Sequence, residues 1–114
     1  MPDKRFLKRN KSLFYLKVED YVTGREVGRL VDISDHGFKL ISDEPVATES
    51  ERVFTIELPE PFEGKEQMMV TAKGLYNKRD VNPDYFSAGF RFIDLSRYNQ
   101  KVIVWLSKDF IFQD

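Results

Sequence analysis

Two short stretches of the sequence carry side chains suited to holding an anion. Residues 4–9 read Lys-Arg-Phe-Leu-Lys-Arg, and Arg5 and Arg9 project from the same side of either a helical turn or an extended strand. Residues 32–37 read Asp-Ile-Ser-Asp-His-Gly, a polar turn that offers a carboxylate, a hydroxyl and an approachable glycine backbone. Guanidinium groups grip phosphates and stack on purine rings. Together the two stretches suit an anionic ligand that contains purine rings.

The polar turn also has a simpler interpretation as an ordinary β-turn. Ser34 or Asp35 would then hydrogen-bond to its own backbone, and Gly37 would take the position that favours glycine. This interpretation does not account for Asp32, because a carboxylate at the end of an apolar strand costs free energy unless it finds a donor. The amino and imino groups of a guanine base would supply that donor.

Other chemistry has little support in the sequence. The chain has no cysteine, which excludes disulfides, thiolate metal sites and cysteine nucleophiles, and its one histidine is His36. Ser34 lies close to His36 but lacks the Gly-x-Ser-x-Gly pattern of an esterase nucleophile. Asp32, Asp35 and His36 lie close together without a distant partner that would complete a metal site. We therefore expect no enzyme, no metal site and no cofactor.

Length and charge indicate one domain with a basic arm. A chain of 114 residues with an aromatic share of 14% can form a single hydrophobic core. Residues 1–11 contain five basic residues and one acidic residue, a net charge of +4, so residues 12–114 carry −5 of the overall −1. We expect residues 1–11 to be a flexible arm on a single domain over residues 12–114. The acidic domain argues against a nucleic-acid polymer as the partner.

The sequence also indicates where the protein acts. Its first residues contain no apolar signal region, and no run of about 18 apolar residues occurs anywhere in the chain. We therefore expect no membrane span and a cytoplasmic protein.

Apolar periodicity predicts a mostly β domain with one terminal helix. Prolines in residues 59–64 are expected to end a strand, and Gly89 to mark a bulge or a close backbone approach. Ser96 is expected to cap a helix over about residues 96–110 that packs onto the sheet. Strands with frequent turns and one terminal helix predict a small antiparallel barrel covered by that helix. The predicted strands cover residues 13–20, 26–33, 38–41, 52–58, 68–79 and 85–93.

These motifs resemble those of the PilZ domain family, bacterial receptors for the second messenger cyclic di-GMP. The family pattern is Arg-x-x-x-Arg in an N-terminal arm, followed later by Asp/Asn-x-Ser-x-x-Gly. The resemblance also extends to residues 89–96, before the predicted helix. The pattern is matched, in order, by Arg5, Arg9, Asp32, Ser34 and Gly37.

The resemblance implies a six-stranded antiparallel β-barrel with a C-terminal helix. It also implies that Arg5 and Arg9 hold guanine edges and phosphates, while Asp32, Ser34 and Gly37 surround a guanine. Lys4 and His36 are further candidates for this cyclic di-GMP site. Lys4 precedes the first arginine, where the family is thought to select one nucleotide or a stacked pair, and a protonated His36 would offset the charge of Asp35.

Three functions follow from these observations. The first is a cyclic di-GMP receptor or adaptor that passes its signal to a protein partner. The second is a PilZ-like interaction adaptor that binds no nucleotide. The third, a small barrel that binds single-stranded nucleic acid through its basic arm, is disfavoured by the charge of −5 outside that arm.

Overall fold

The computed structural model describes residues 11–13 and 16–112, with side chains described from Leu16 to Asp109. The described residues form eight strands and one helix. Six strands, β2 to β7, close into an antiparallel barrel in the order β2-β3-β4-β7-β6-β5. The predicted six-stranded barrel with a C-terminal helix is therefore confirmed. The elements are β1 (Lys11–Leu13), β2 (Leu16–Asp20), β3 (Glu26–Ile33), β4 (Gly37–Ser42), β5 (Glu51–Phe62), β6 (Lys65–Arg79), β7 (Phe86–Asp94), α1 (Arg97–Asp109) and β8 (Phe110–Phe112).

Aromatic side chains fill the barrel interior. Phe38, Phe54 and Phe90 are each almost wholly buried. The ring of Phe90 is stacked on that of Phe38 at 5.2 Å between centroids and meets the ring of Phe54 edge-on at 4.9 Å. Alternate residues of each strand face the same side of a sheet, which is why the period-2 pattern of the sequence builds this core. The residues between them point outward and form the surface of the barrel.

Helix α1 packs against the barrel core through Val102, Ile103 and Leu106. The hydroxyl of Ser96 accepts a hydrogen bond of 3.0 Å from the backbone N–H of Asn99, which confirms the predicted cap. The side chain of Asn99 donates to the carbonyl of Met69 over 2.8 Å and so ties the first turn of the helix to β6. Trp105 packs on Phe62 with 4.8 Å between ring centroids. Within the described part of the chain, no helix is long and apolar enough to span a membrane.

The prediction that residues 59–64 end a strand was wrong. Strand β5 continues through Pro59 and Pro61 to Phe62. Its pairing with β6 is interrupted after Glu57 and resumes where Phe62 faces Lys65, so neither proline has to donate a ladder hydrogen bond. The chain instead reverses at residues 63–64, both of which have positive φ.

The shortest strands were not predicted. Strand β1 runs parallel to β8, with Lys11 opposite Phe110 and Leu13 opposite Phe112. Each strand has three residues, and its partner lies at the other end of the chain, so no local pattern marks either one. Of the predicted arm, residues 1–10 lie outside the described residues and Lys11 begins β1.

Candidate ligand-binding site

A bulge in β3 turns Asp32 towards solvent. Leu30 pairs with Leu40 and Asp32 pairs with Lys39, which leaves Val31 as the extra residue. The bulge shifts the alternation by one position, so that Leu30 and Ile33 are buried while Asp32 is exposed. The expectation of a carboxylate in an apolar setting was therefore wrong. Asp32 Oδ1 accepts a 2.9 Å hydrogen bond from the N–H of Ile33, and no described residue donates to Oδ2.

Backbone hydrogen bonds hold the turn that follows β3. The N–H of Ser34 donates to the carbonyl of Gly37 over 2.9 Å, and the N–H of His36 donates to Ser34 Oγ over 3.1 Å. The carbonyl of His36 accepts in turn from the N–H of Phe92, which joins the turn to β7. These bonds match the ordinary-turn interpretation for Ser34. No described residue accepts the hydroxyl proton of Ser34, which leaves it for a ligand.

Gly37 is required by a close approach between strands. A Cβ atom at this position would stand 2.0 Å from the carbonyl oxygen of Phe90 on β7. The φ angle of Gly37 is not in the left-handed region, unlike those of Gly24 and Gly64. The glycine therefore lets β4 and β7 meet directly beneath the turn and fixes where the turn lies.

The turn opens onto a cleft of about 370 Å³. Four of the predicted site residues line it together: Asp32, Ser34, His36 and Gly37. This volume lies within the range of small-molecule sites in proteins. Sequence reasoning missed the remaining lining residues, which β4, β6 and β7 provide: Lys39, Leu75, Tyr76, Gly89 and Arg91.

The floor of the cleft depends on a glycine beneath an aromatic ring. Tyr76 is the register partner of Gly89, and a Cβ at Gly89 would lie 2.3 Å from Cε2 of that ring. Gly89 was expected to mark a bulge or a close backbone approach, but what lies against it is a side chain, the ring of Tyr76. The bulge lies instead on β6, where the register shifts between Gly74 and Tyr76 and leaves Leu75 exposed beside the cleft.

The charges around the cleft have both signs. Asp35 and His36 lie on the turn with Oδ1 and Nε2 3.4 Å apart, and their side chains are 80% and 90% exposed. From sequence, only His36 was available to offset Asp35. The fold also places Lys39 and Arg91 on the cleft wall, and both are exposed. The cleft therefore carries positive charge that does not depend on protonation of His36.

Three of the predicted site residues come before the first described residue, Lys11. Lys4, Arg5 and Arg9 lie outside the described residues. Between Leu16 and Asp109, no three His, Asp or Glu side chains come together as metal ligands would.

A larger hollow lies at the opposite end of the barrel. It measures about 890 Å³ and is lined by the start of β3 and the loop after β4. Within this hollow, the guanidinium of Arg52 donates a hydrogen bond of 2.7 Å to the carboxylate of Asp20. It contains none of the predicted site residues, so the smaller cleft beside Asp32 is the better candidate site.

The profile of the PilZ domain matches residues 4–109. This chain belongs to the PilZ domain family. The match confirms the resemblance to this family. In the structure, Asp32, Ser34 and Gly37 line the cleft just described.

One solved structure has a similar fold. The Bacillus subtilis inhibitor of motility MotI/DgrA is similar with a TM-score of 0.63 at 15% identity. The similarity covers 79% of this chain and 43% of the other, so the chain spans less than half the length of that protein. The comparison with curated proteins found no match.

Proposed function

We propose that this PilZ chain is a cyclic di-GMP receptor in bacterial second-messenger signalling and acts in the cytoplasm. The observation that carries the proposal is that Asp32, Ser34 and Gly37 line one cleft with Lys39 and Arg91 on its wall. An anionic ligand with guanine bases needs both a carboxylate for the base and cations for the phosphates. No residue is assigned a catalytic role.

Guanine recognition is assigned to the turn. Asp32 is exposed, and its Oδ2 has no described donor, so this oxygen can accept from the N–H groups of a guanine edge. The oxygen of the Ser34 hydroxyl accepts from the backbone N–H of His36, which leaves the hydroxyl proton available. The hydroxyl can therefore donate to an acceptor of the same base. Gly37 lets β4 and β7 approach closely and so fixes the position of the turn that carries Asp32 and Ser34.

Phosphate recognition is assigned to the N-terminal arm. Arg5 and Arg9 would hold the phosphates, with Lys4 and His36 as further contacts. Ordering an arm costs conformational entropy, so the affinity is expected to be micromolar, corresponding to about −8 kcal/mol.

Isothermal titration of the purified protein with cyclic di-GMP tests the proposal. GTP and cyclic di-AMP are the controls, because they share phosphates or the cyclic backbone but not the pair of guanine bases. Saturable binding of cyclic di-GMP alone supports a receptor and gives the number of nucleotides bound. No heat and no thermal shift at high micromolar nucleotide would overturn it.

The second candidate is a PilZ adaptor that binds no nucleotide. Asp35 favours it, because an 80% exposed carboxylate on the turn repels a dianionic ligand. In either case we propose that output passes to a protein partner. The similar solved structure is described as an inhibitor of motility, so components of the motility machinery are the first partners to test.

A further inference from the structure

Three basic side chains form a strip on the outer face of the barrel beside the cleft. Arg91 is the register partner of Gly37 on one side and of Lys73 on the other. Lys39 lies two residues after Gly37 on β4, so it shares the same face. Adjacent strands are about 4.8 Å apart, and alternate residues along a strand about 7 Å apart, so the three charges are neighbours. We call Lys39, Lys73 and Arg91 the basic strip.

The described part of the chain provides no ion-pair partner for the basic strip. All three side chains are exposed, and none makes an ion pair with any described residue. Lys39 pairs in register with Asp32, and Lys73 pairs with Glu51, yet neither pair closes to within 4.0 Å. Arg91 and Lys73 stand directly opposite each other, an arrangement in which like charges destabilise a sheet. A bound anion would relieve that repulsion.

Two members of the basic strip are also members of the cleft. Lys39 and Arg91 line it together with Asp32 and Gly37, whereas Lys73 lies one strand further away. A ligand whose base meets Asp32 would therefore have its phosphates within reach of Arg91 and Lys39. Arginine can hold a phosphate with two parallel N–H groups, and lysine acts as a point charge.

We propose that the barrel has its own phosphate subsite, formed by Arg91 and Lys39 and strengthened by the field of Lys73. The inference rests on the proposed function, and it adds that the phosphates are held from the barrel as well as from the arm. It also explains how a turn with two carboxylates accepts an anion, since Lys39 and Arg91 line the cleft and Lys73 lies nearby, against the charges of Asp32 and Asp35.

Titration of Arg91→Gln and Lys39→Gln with cyclic di-GMP at low and high salt tests the subsite. Each substitution is expected to weaken binding about tenfold at low salt, because it removes one charge-assisted hydrogen bond. Each should also reduce the salt dependence of the affinity. Arg91→Lys keeps the charge and loses the fork, so its affinity should fall between those of the wild type and Arg91→Gln. Unchanged thermal stability would separate this effect from damage to the fold.

Arg25→Gln is the matched control. Arg25 is exposed, makes no described ion pair and lies at the opposite end of the barrel, so the variant loses the same charge far from the cleft. If wild type binds cyclic di-GMP and the strip variants bind like Arg25→Gln, the barrel subsite is wrong and the receptor proposal stands. If wild type does not bind, both proposals fall.

Discussion

The ring of Tyr76 lies directly on the Cα of Gly89. A Cβ atom at residue 89 would meet three ring atoms of Tyr76, the nearest at 2.3 Å, and no other residue provides a closer contact. The two residues are register partners on β6 and β7, and both line the cleft beside Asp32. The absence of a side chain at Gly89 thus leaves room for an aromatic ring that lines the candidate site.

Gly89→Ala is expected to push this ring out of place. The obstacle is the outer part of a side chain, which can move, so we expect a loss of stability of about 1 kcal/mol together with weaker nucleotide binding. Urea unfolding followed by the fluorescence of Trp105, the one tryptophan of the chain, measures the first effect.

The control for that prediction is Tyr76→Ala. With the ring removed, Gly89→Ala should be neutral or slightly stabilising, because alanine restricts the unfolded chain more than glycine does. If Gly89→Ala lowered the stability equally in the wild type and in Tyr76→Ala, the ring would not be the group that the glycine accommodates.

Gly37→Ala is expected to be more harmful than Gly24→Ala. At Gly37 the added Cβ meets the backbone carbonyl of Phe90, which cannot move without separating β4 from β7, so we expect a loss of more than about 2 kcal/mol. At Gly24 the space is open, and only its φ of 75° penalises alanine, by about 1–2 kcal/mol. Thermal unfolding of both variants measures the difference. Equal losses would contradict the close approach.

Arg9→Ala and Asp32→Ala are each expected to weaken cyclic di-GMP binding about 10- to 100-fold. A hydrogen bond to a charged group contributes roughly 1.5–3 kcal/mol, and each substitution removes at least one. Arg9→Ala should also reduce the salt dependence of binding, because a charge near the phosphates is lost. Titration calorimetry measures both quantities. Unchanged affinity in both variants would show that the site lies elsewhere.

The free energy of unfolding is expected to fall as the pH drops below about 4. Hydrogen bonds from Arg52 and from the N–H groups of Thr23 and Val22 lower the pKa of Asp20 in the folded protein. A carboxyl group with a lowered pKa stabilises the fold above its unfolded pKa, and this contribution disappears as acid protonates it through the folded pKa.

Asp20→Asn tests this contribution. At neutral pH the variant should be less stable by about 1–2 kcal/mol, and the difference should shrink in acid. Urea unfolding at several pH values measures it, and Asp43→Asn, an exposed aspartate without a described partner, is the control. A difference that stays constant down to low pH would mean that ionisation of Asp20 is not the cause.

Much of the fold could be predicted because it depends on short-range patterns. The strand at residues 26–33 was predicted with its observed bounds, and the helix starting after Ser96 ends one residue from the expected position. Alternation and capping are local, so they can be read from neighbouring residues. The continuation of β5 through Pro59 and Pro61 could not be predicted in this way, because it depends on an interruption of the pairing between β5 and β6.

The sequence by itself determined the family and one half of the candidate site. The spacing of Asp32, Ser34 and Gly37 belongs to a single turn, and a turn keeps its residues together wherever the rest of the chain lies. Only the tertiary structure decided what faces that turn. Lys39, Tyr76 and Arg91 come from three strands, and the register of barrel closure brings them to one cleft. Register is a property of paired strands, so no single segment of sequence contains it.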